Sequence, residues 1–582
     1  MALTMALLTQ VPRLPHLLAR LLLVAGPFAG TALSSPAPDP AGDLPAAFQP
    51  SWADAPSLRQ LSLTYDATLT AEGNGALLKS AMQALIPGDT LTVGAGTWSV
   101  NSFFDVSVSG TPDAPIRVVA APGAQAVITR PNAGQNVINL GSPAFGGIRY
   151  FLLRGFELTG GGMGMRIYEA EHLWVDDCHI HHMAGVGLSV NTNDASYLHL
   201  TRNEISHTGQ SGEGMYLGGN YGSVILSHSV IARNEVHHTG GSQGDGIELK
   251  QGSYDNWIVE NRVYATKYPC LLVYGTGGQA RNRIERNVLW DSESSVLQVQ
   301  GEALVANNVV FGGPQGFTSH DHQGLTRDLE MRSNTILCEG DAARLGDWHG
   351  RPGMILAGNA LYSAQGEAVR FVGGSNGIEI QGNVTFGEVV GSSTGWSPGN
   401  GLDDFEGASW DGVEQNVVPS AGSPLRNLSH PQVAAADDLS GMARGPYPSA
   451  GASEPGSYGR VLGPGLAGSA GLVPRLTAST LPESGHLTFQ VRLEQARPLT
   501  PAYLLVGLSS APTPFRGGTW YPQASALVRT DTTTQGRAIA DLPLTPGAGF
   551  GAGQTVVAQW AVFDPGAPEF YALSPGVVWT LD

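Results

Sequence analysis

Cysteine is almost absent from this chain: three in 582 residues, at Cys178, Cys270 and Cys338. An odd number at wide spacing excludes a disulfide framework, and no zinc-type Cys/His spacing accompanies it. The three read as small apolar side chains filling an interior. Basic charge is scarce as well. Thirty-one Lys and Arg face 49 Asp and Glu, a net charge of −18. That excludes nucleic acid as an expected partner, because binding it depends on a basic surface. A polyanion would also be repelled overall, and would need a local basic or metal-bearing groove. The one long apolar run is N-terminal. Arg13 and Arg20 precede Leu21–Ala32, the run is broken by Gly26, Pro27 and Gly30, and Ala32–Leu33–Ser34 offers a small-residue cleavage site. Residues 1–34 therefore read as a secretory signal peptide rather than a membrane span. The protein is expected to be secreted, extracellular or periplasmic, with no membrane attachment after cleavage. Residues 35–60, Pro/Ala-rich at the start, read as a flexible leader.

Helical apolar periodicity is missing from the central region, and a repeat stands in its place. A short phrase recurs in which an Asn is followed by any residue and then Val, Ile or Leu: RNEI (Arg202–Ile205), RNEV (Arg233–Val236), ENRV (Glu260–Val263), RNVL (Arg286–Leu289) and SNTI (Ser333–Ile336) are clear copies. The anchor positions run Phe156, Cys178, Asn203, Asn234, Asn261, Asn287, Asn308, Asn334, Asn359, Asn383, between 21 and 31 residues apart. Such a period marks a solenoid. Each repeat reads as short strands broken by Gly, Asn, Asp and Ser, and the 78 glycines suit a chain turning several times per repeat. Successive coils stack about 4.8 Å apart, so an Asn recurring once per coil can bond its own copies above and below.

These repeats resemble the right-handed parallel β-helix family, the superfamily of pectate lyases and related polysaccharide-active enzymes. The resemblance spans roughly residues 61–455. ALIPGDTLTVGAGTW (Ala84–Trp98) and SGTPDAPIRVVAAPG (Ser109–Gly123) are similar to the opening of many secreted β-helices. Gly75–Ile86, with Leu77, Leu78, Met82 and Leu85 at helical spacing, is expected to cap the first coil. SAGSPLRN (Ser420–Asn427) and DLSGMARG (Asp438–Gly445) resemble the last strands of such domains. From about Tyr458 the Asn phrase stops and alternating segments such as HLTFQVRL and TVVAQWAVF predict a β-sandwich over 456–582. It is similar to accessory domains of secreted bacterial proteins. The expected fold is thus all-β: a right-handed parallel β-helix with an N-terminal helical cap and a small C-terminal β-sandwich, monomeric.

Strand side chains alternate. In GDGIELK (Gly244–Lys250), Ile247 and Leu249 belong to the core, so Glu248 and Lys250 are expected to face solvent, with Asp245 at the turn before them. GEGMYLG (Gly212–Gly218) in the same register puts Glu213 over Asp245, Tyr216 over Glu248 and Gly218 beside Lys250. Earlier coils add Ser189 and Asn191, then Arg166 and Tyr168; later ones add Leu272 and Tyr274, then Gln298 and Gln300. A face of Tyr, amides and charges suits sugar rings and their hydroxyls. What the resemblance implies is β-elimination of a uronate polysaccharide, or the related C5-epimerisation, with Lys250 as base and calcium on the sugar carboxylate; Glu213 and Asp245 are the candidate calcium ligands. Glu248 opposes this, because it favours a charged Lys250 whereas a base must be neutral.

A second constellation is histidine. His182, His207 and His238 follow the anchor by four residues on three successive coils, with His179, His181 and His237 beside them. They are either a structural ladder or a cluster able to contact an acidic sugar, with His207 and His238 at its centre. SHDHQG (Ser319–Gly324) is a separate loop expected to overhang the groove. DDC (Asp176–Cys178) resembles a polygalacturonase motif, but it falls on the anchor strand and the following GVGLS lacks that family's histidine. Two other readings stay open: a glycoside hydrolase using Glu213 and Asp245, and a glycan-binding or cell-envelope adhesion protein without catalysis.

Overall fold

The computed structural model describes residues 44–581 apart from 470, 480–488, 546–549 and 552. The expected signal peptide and the start of the leader lie outside the described residues. Among the described residues, no helix is long and apolar enough to cross a membrane. Thirteen strands, from Arg59–Leu63 to Glu379–Gln381, pair in parallel to form one face of a right-handed β-solenoid. A typical coil contributes Val230–Ala232 to this first face, Glu235–His237 to a second and Ile247–Leu249 to a third. The second and third faces join in one larger parallel sheet.

The repeated phrase explains the bend between the first two strands. Its anchor Asn is buried, and the residue before it takes a left-handed backbone: Arg202, Arg233, Glu260 and Arg286 have φ of 53–56°. That conformation costs a non-glycine residue of order 1 kcal/mol. The ladder offsets it. The Asn261 side chain donates to Ile231 O at 2.9 Å and to Asn287 Oδ1 at 2.9 Å, and its Oδ1 accepts from both nitrogens of Asn234 at 2.9 Å. The same pattern runs from Asn203 to Asn383. Cys178 begins it, donating its backbone N–H to Asn203 Oδ1 at 3.1 Å. Two residues on, Ile205, Val236, Val263, Leu289 and Val310 stack as one column with no exposure. Burying each such side chain contributes about 1.5–3 kcal/mol. A second, shorter ladder escaped the sequence reading: Ser229, Asn256 and Asn282 repeat the pattern at the entry to the first face. All three cysteines are free and buried, and burial pushes each thiol up to about 12.

The cap is a helix over Ala71–Gln83, starting four residues earlier and ending three earlier than Gly75–Ile86. Thr70 caps it by accepting from Gly73 N at 3.1 Å. Pro87 disfavours helical backbone at Ile86, which sets the earlier stop. A Cβ on Gly75 would fall 1.8 Å from Ser99 O, so glycine here lets the cap press onto the strand below. The leader requires correction: from residue 44 it is packed, not flexible. Leu44, Phe48 and Trp52 bury themselves against Leu152, Trp174 and Val259. His199 Nδ1 meets Phe48 O at 2.8 Å, and burial lowers its pKa to about 4. Three large apolar residues at four-residue spacing outweigh the Pro/Ala background. Ser420–Asn427 and Asp438–Gly445 form no strands. They belong to a loop bound along the solenoid by side chains, including Arg286 to Asp437 at 2.6 Å and Asn307 to Asp437 O at 3.0 Å. Beyond them, antiparallel sheets of six and three strands enclose one core with Leu493, Trp560 and Trp579, the expected sandwich.

Candidate functional site

The third face carries the site. Gly187, Gly214 and Gly246 open its strands on successive coils. A Cβ on Gly214 would lie 2.4 Å from Val236 and 2.6 Å from Gly246 O, so only glycine permits so close a stack. The preceding residues Glu213 and Asp245 are thereby brought one above the other. Beyond the glycines the strands pair Tyr216 with Glu248 and Leu217 with Leu249. Ser189 pairs with Tyr216, and Glu248 with Leu272. The expected register is correct throughout, and it brings Glu213, Asp245, Glu248 and Lys250 together.

Their expected exposure is not correct. Glu213, Asp245, Glu248 and Lys250 are 1%, 4%, 3% and 4% exposed. They point outward from the coil, yet other residues cover them. Lys250 Nζ is bonded to Glu248 and lies 4.5 Å from the centroid of the Tyr216 ring and 5.4 Å from that of Tyr274. Above them passes the Ser319–Gly324 segment. His322 meets the Tyr274 ring at 4.9 Å, Gly324 packs on the side-chain amides of Gln251 and Gln300, and Gln323 Oε1 accepts from Tyr221 N at 2.7 Å. The loop expected to overhang the groove is a roof over the charged cluster. Strand alternation sets the outward direction of these side chains, whereas their cover is a loop that folds back from three coils away.

Burial makes the electrostatics unusual. Three carboxylates share the space with one ammonium, and lysine occurs only at positions 79, 250 and 267 of the whole sequence. Burial raises the Asp245 carboxyl well above the usual range, reinforced by Glu248 and Glu213 and opposed by Lys250. Glu248 is also raised by burial, with Lys250 working against the shift. Burial lowers His322, helped by His320 and Lys250. Glu213 Oε2, Asp245 Oδ1, Glu248 Oε2 and both amide atoms of Gln300 are buried without a hydrogen-bond partner. Unpartnered buried polar atoms are rare and costly, and so many in one place make this cluster the candidate site. Carboxylate oxygens suit calcium chemically, but that ion takes six to eight oxygens. Among the described residues, no group of three or more His, Cys, Asp or Glu is arranged for a metal.

Other expected residues divide. Tyr216, Tyr274 and Gln300 line the cluster. Arg166 lies along the face, bonded to Thr192 Oγ1 at 2.9 Å and 4.9 Å from the Tyr168 ring. Asn191 has a buried, unpartnered Oδ1. Gln298 lines a neighbouring cavity. His207 and His238 are not brought to Lys250. They sit at the corner before the turn to the third face, where His182, His207 and His238 stack at 4.6 and 5.1 Å. Burial lowers the pKa of His207, and the charges that add to this come from neighbouring histidines, none from the carboxylate cluster. Asp176 of the DDC segment is fully buried between Arg154 and Arg202, at 2.6 and 2.5 Å. Gln251, His322 and Gln323 were missed as individual residues, and only the SHDHQG segment pointed toward the last two.

No curated protein sequence matches the chain. Among solved structures it is similar to the pectate lyase Pel9A (15% identity, TM-score 0.39, covering 69% of this chain and 98% of that one). It is also similar to the PL6 family alginate lyase AlyGC (12% identity, TM-score 0.44, 62% and 56%). A third is an alginate lyase from Paenibacillus sp. str. FPU-7 (16% identity, TM-score 0.34, 58% and 99%). Residues 149–289, which include Glu213 through Lys250, match the family described as the right handed beta helix region, so these coils carry the sequence signature of that architecture as well as its shape.

Proposed function

We propose that the protein cleaves a uronate-containing polysaccharide by β-elimination, with Lys250 as the base. The observation that carries this reading is the burial of Lys250 against a carboxylate whose pKa is itself raised. In water a Glu–Lys contact keeps the lysine charged. Burial disfavours the charged form of Glu248, so its carboxyl can hold the proton shared along this hydrogen bond. The proposal requires Nζ as the neutral amine that takes the C5 proton of a uronate. The C5–H electron pair becomes the C4–C5 double bond as the C4–O4 bond breaks. Asp245, whose carboxyl is raised well above the usual range by burial and its acidic neighbours, supplies the proton to O4. Return of a proton to the opposite face of C5, without loss of O4, would make the same site a C5-epimerase. Calcium at Glu213 and Asp245, with substrate oxygens completing its shell, remains an alternative proposal: it needs Asp245 ionised and would leave the protonation of O4 to water.

A second reading has its own support. Glu213 and Asp245 occupy neighbouring coils, about 4.8 Å apart along the axis, close to the roughly 5–5.5 Å between the carboxyls of retaining glycosidases. Asp245 would be the acid and Glu213 the nucleophile. The deciding experiment incubates the protein with a panel of uronate and neutral polysaccharides, with and without a calcium chelator, and weighs the products. Elimination yields fragments that sum to the substrate mass and absorb in the ultraviolet. Hydrolysis adds one water per cut. Binding without product on any polymer would overturn both and leave a glycan-binding protein.

A further inference from the structure

The column that contains Tyr216 and Glu248 continues along the third face through Leu272, Gln298 and Thr318 to Arg344. Four coils separate Glu248 from Arg344, about 19 Å at 4.8 Å per coil. Arg344 is exposed, and among the described residues it makes no ion pair, although acidic groups outnumber basic ones 49 to 31. Its neighbour in the same column, Arg370, is bound to Glu367. Arg344 instead borders a cavity of about 350 Å³ with Gln298, Thr318, His320 and Asp347. Thr318 is 5% exposed, and its Oγ1 is buried without a partner. The Asp347 carboxylate accepts from Asp321 N at 3.0 Å and makes no ion pair with Arg344. Ser319 and His320 of the roof segment also line this cavity, so the same loop borders both it and the Lys250 cluster.

We propose that this cavity is a subsite for an acidic sugar unit, distant along the chain from the bond that is cut. A guanidinium without a carboxylate partner suits a uronate carboxylate, which it can hold through two parallel hydrogen bonds. Thr318 Oγ1 and the Gln298 amide offer partners for ring hydroxyls. The subsite rests on the reading of this face as a polysaccharide groove. It adds that the ligand is anionic four coils from Glu248, where Asp347 is the single carboxylate among the residues lining the cavity.

The test is calorimetric binding of long oligogalacturonate and oligomannuronate, and of the same oligomers with carboxyls reduced to alcohols. It uses the full chain carrying Lys250→Ala to prevent turnover, with and without Arg344→Ala or Arg344→Lys. Arg344→Ala is expected to weaken binding of an acidic oligomer about 10- to 100-fold, as loss of a charge-assisted contact implies. The reduced oligomer should bind alike with either residue, and Arg344→Lys should recover part of the loss. Unchanged affinity, an equal loss for the reduced oligomer, or no binding of either acidic oligomer without the Arg344 change overturns the subsite. In the chain with Lys250 intact, Arg344→Ala should raise KM and leave kcat unchanged. Acidic binding that depends on Arg344, with no product from any polymer, would keep the subsite and sink the cleavage reading. Product formation insensitive to Arg344 would do the reverse.

Discussion

Tyr221 donates its backbone N–H to the side-chain oxygen of Gln323 at 2.7 Å, joining two loops 102 residues apart in the chain. Gln323 also donates to Asn220 Oδ1 at 3.2 Å. One side chain thus pins the roof to the opposite rim, with Lys250 and its carboxylates beneath. On the proposed reading, a polymer would reach them only with this clasp open.

Gln323→Ala should therefore loosen the roof with little effect on overall stability. The lost bonds are partly exposed and contribute about 0.5–1.5 kcal/mol each. Hydrogen exchange should quicken in residues 319–326 and stay unchanged in the Asn ladder. Unaltered exchange in the roof would show that Gln323 does not hold it.

Lys250 separates two roles by substitution. Arginine keeps the positive charge but does not become a neutral base. Lys250→Arg and Lys250→Ala should both lower elimination about 10²- to 10⁴-fold, the usual range for a general base. An active Lys250→Arg enzyme would mean that the residue only stabilises negative charge.

Stability should depend on pH through Asp245 and Glu248. Both carboxyls are raised in the folded protein by burial. The folded state then binds more protons than the unfolded chain above the ordinary carboxyl range. Their contribution is complete below the unfolded pKa, about 4, and is lost as pH rises through the folded values. Denaturant midpoints should fall from mildly acidic toward neutral pH. Asp245→Asn should flatten that slope and raise the midpoint at neutral pH; an unchanged slope would assign the dependence elsewhere.

The Asn ladder should be costly to break at its middle. Asn287 donates to Ile258 O and Asn308 Oδ1 and accepts from two nitrogens of Asn261. Asn287→Ala leaves several buried groups unpaired, and about 3–5 kcal/mol is expected from denaturant unfolding. Asn383 closes the ladder, accepting from both Asn359 nitrogens and donating to Leu356 O. Its replacement by Ala should cost less.

Much of this was legible because a solenoid repeats its own geometry. The Asn ladder marked the same bend in every coil, and counting from it placed Tyr216 beside Glu248 before any coordinates. The helical cap was found but shifted, because Gly73 and Gly75 weaken the helical pattern at its true start. The packed leader was hidden by its Pro/Ala composition. Exposure was misjudged at Glu248 and Lys250 for a different reason: alternation along a strand says which way a side chain points, not what lies above it.

The sequence by itself determined the coil period, the strand register and the meeting of Glu213, Asp245, Glu248 and Lys250, because local backbone chemistry and the coil rise specify all of these. The tertiary structure decided that the four are sealed from water. It brought Ser319–Gly324, expected from the sequence only as an overhanging loop, down as a roof over coils from which it is separated by some seventy residues. That burial is what disfavours charge on Asp245 and Glu248, and so turns a row of outward residues into a candidate for proton chemistry.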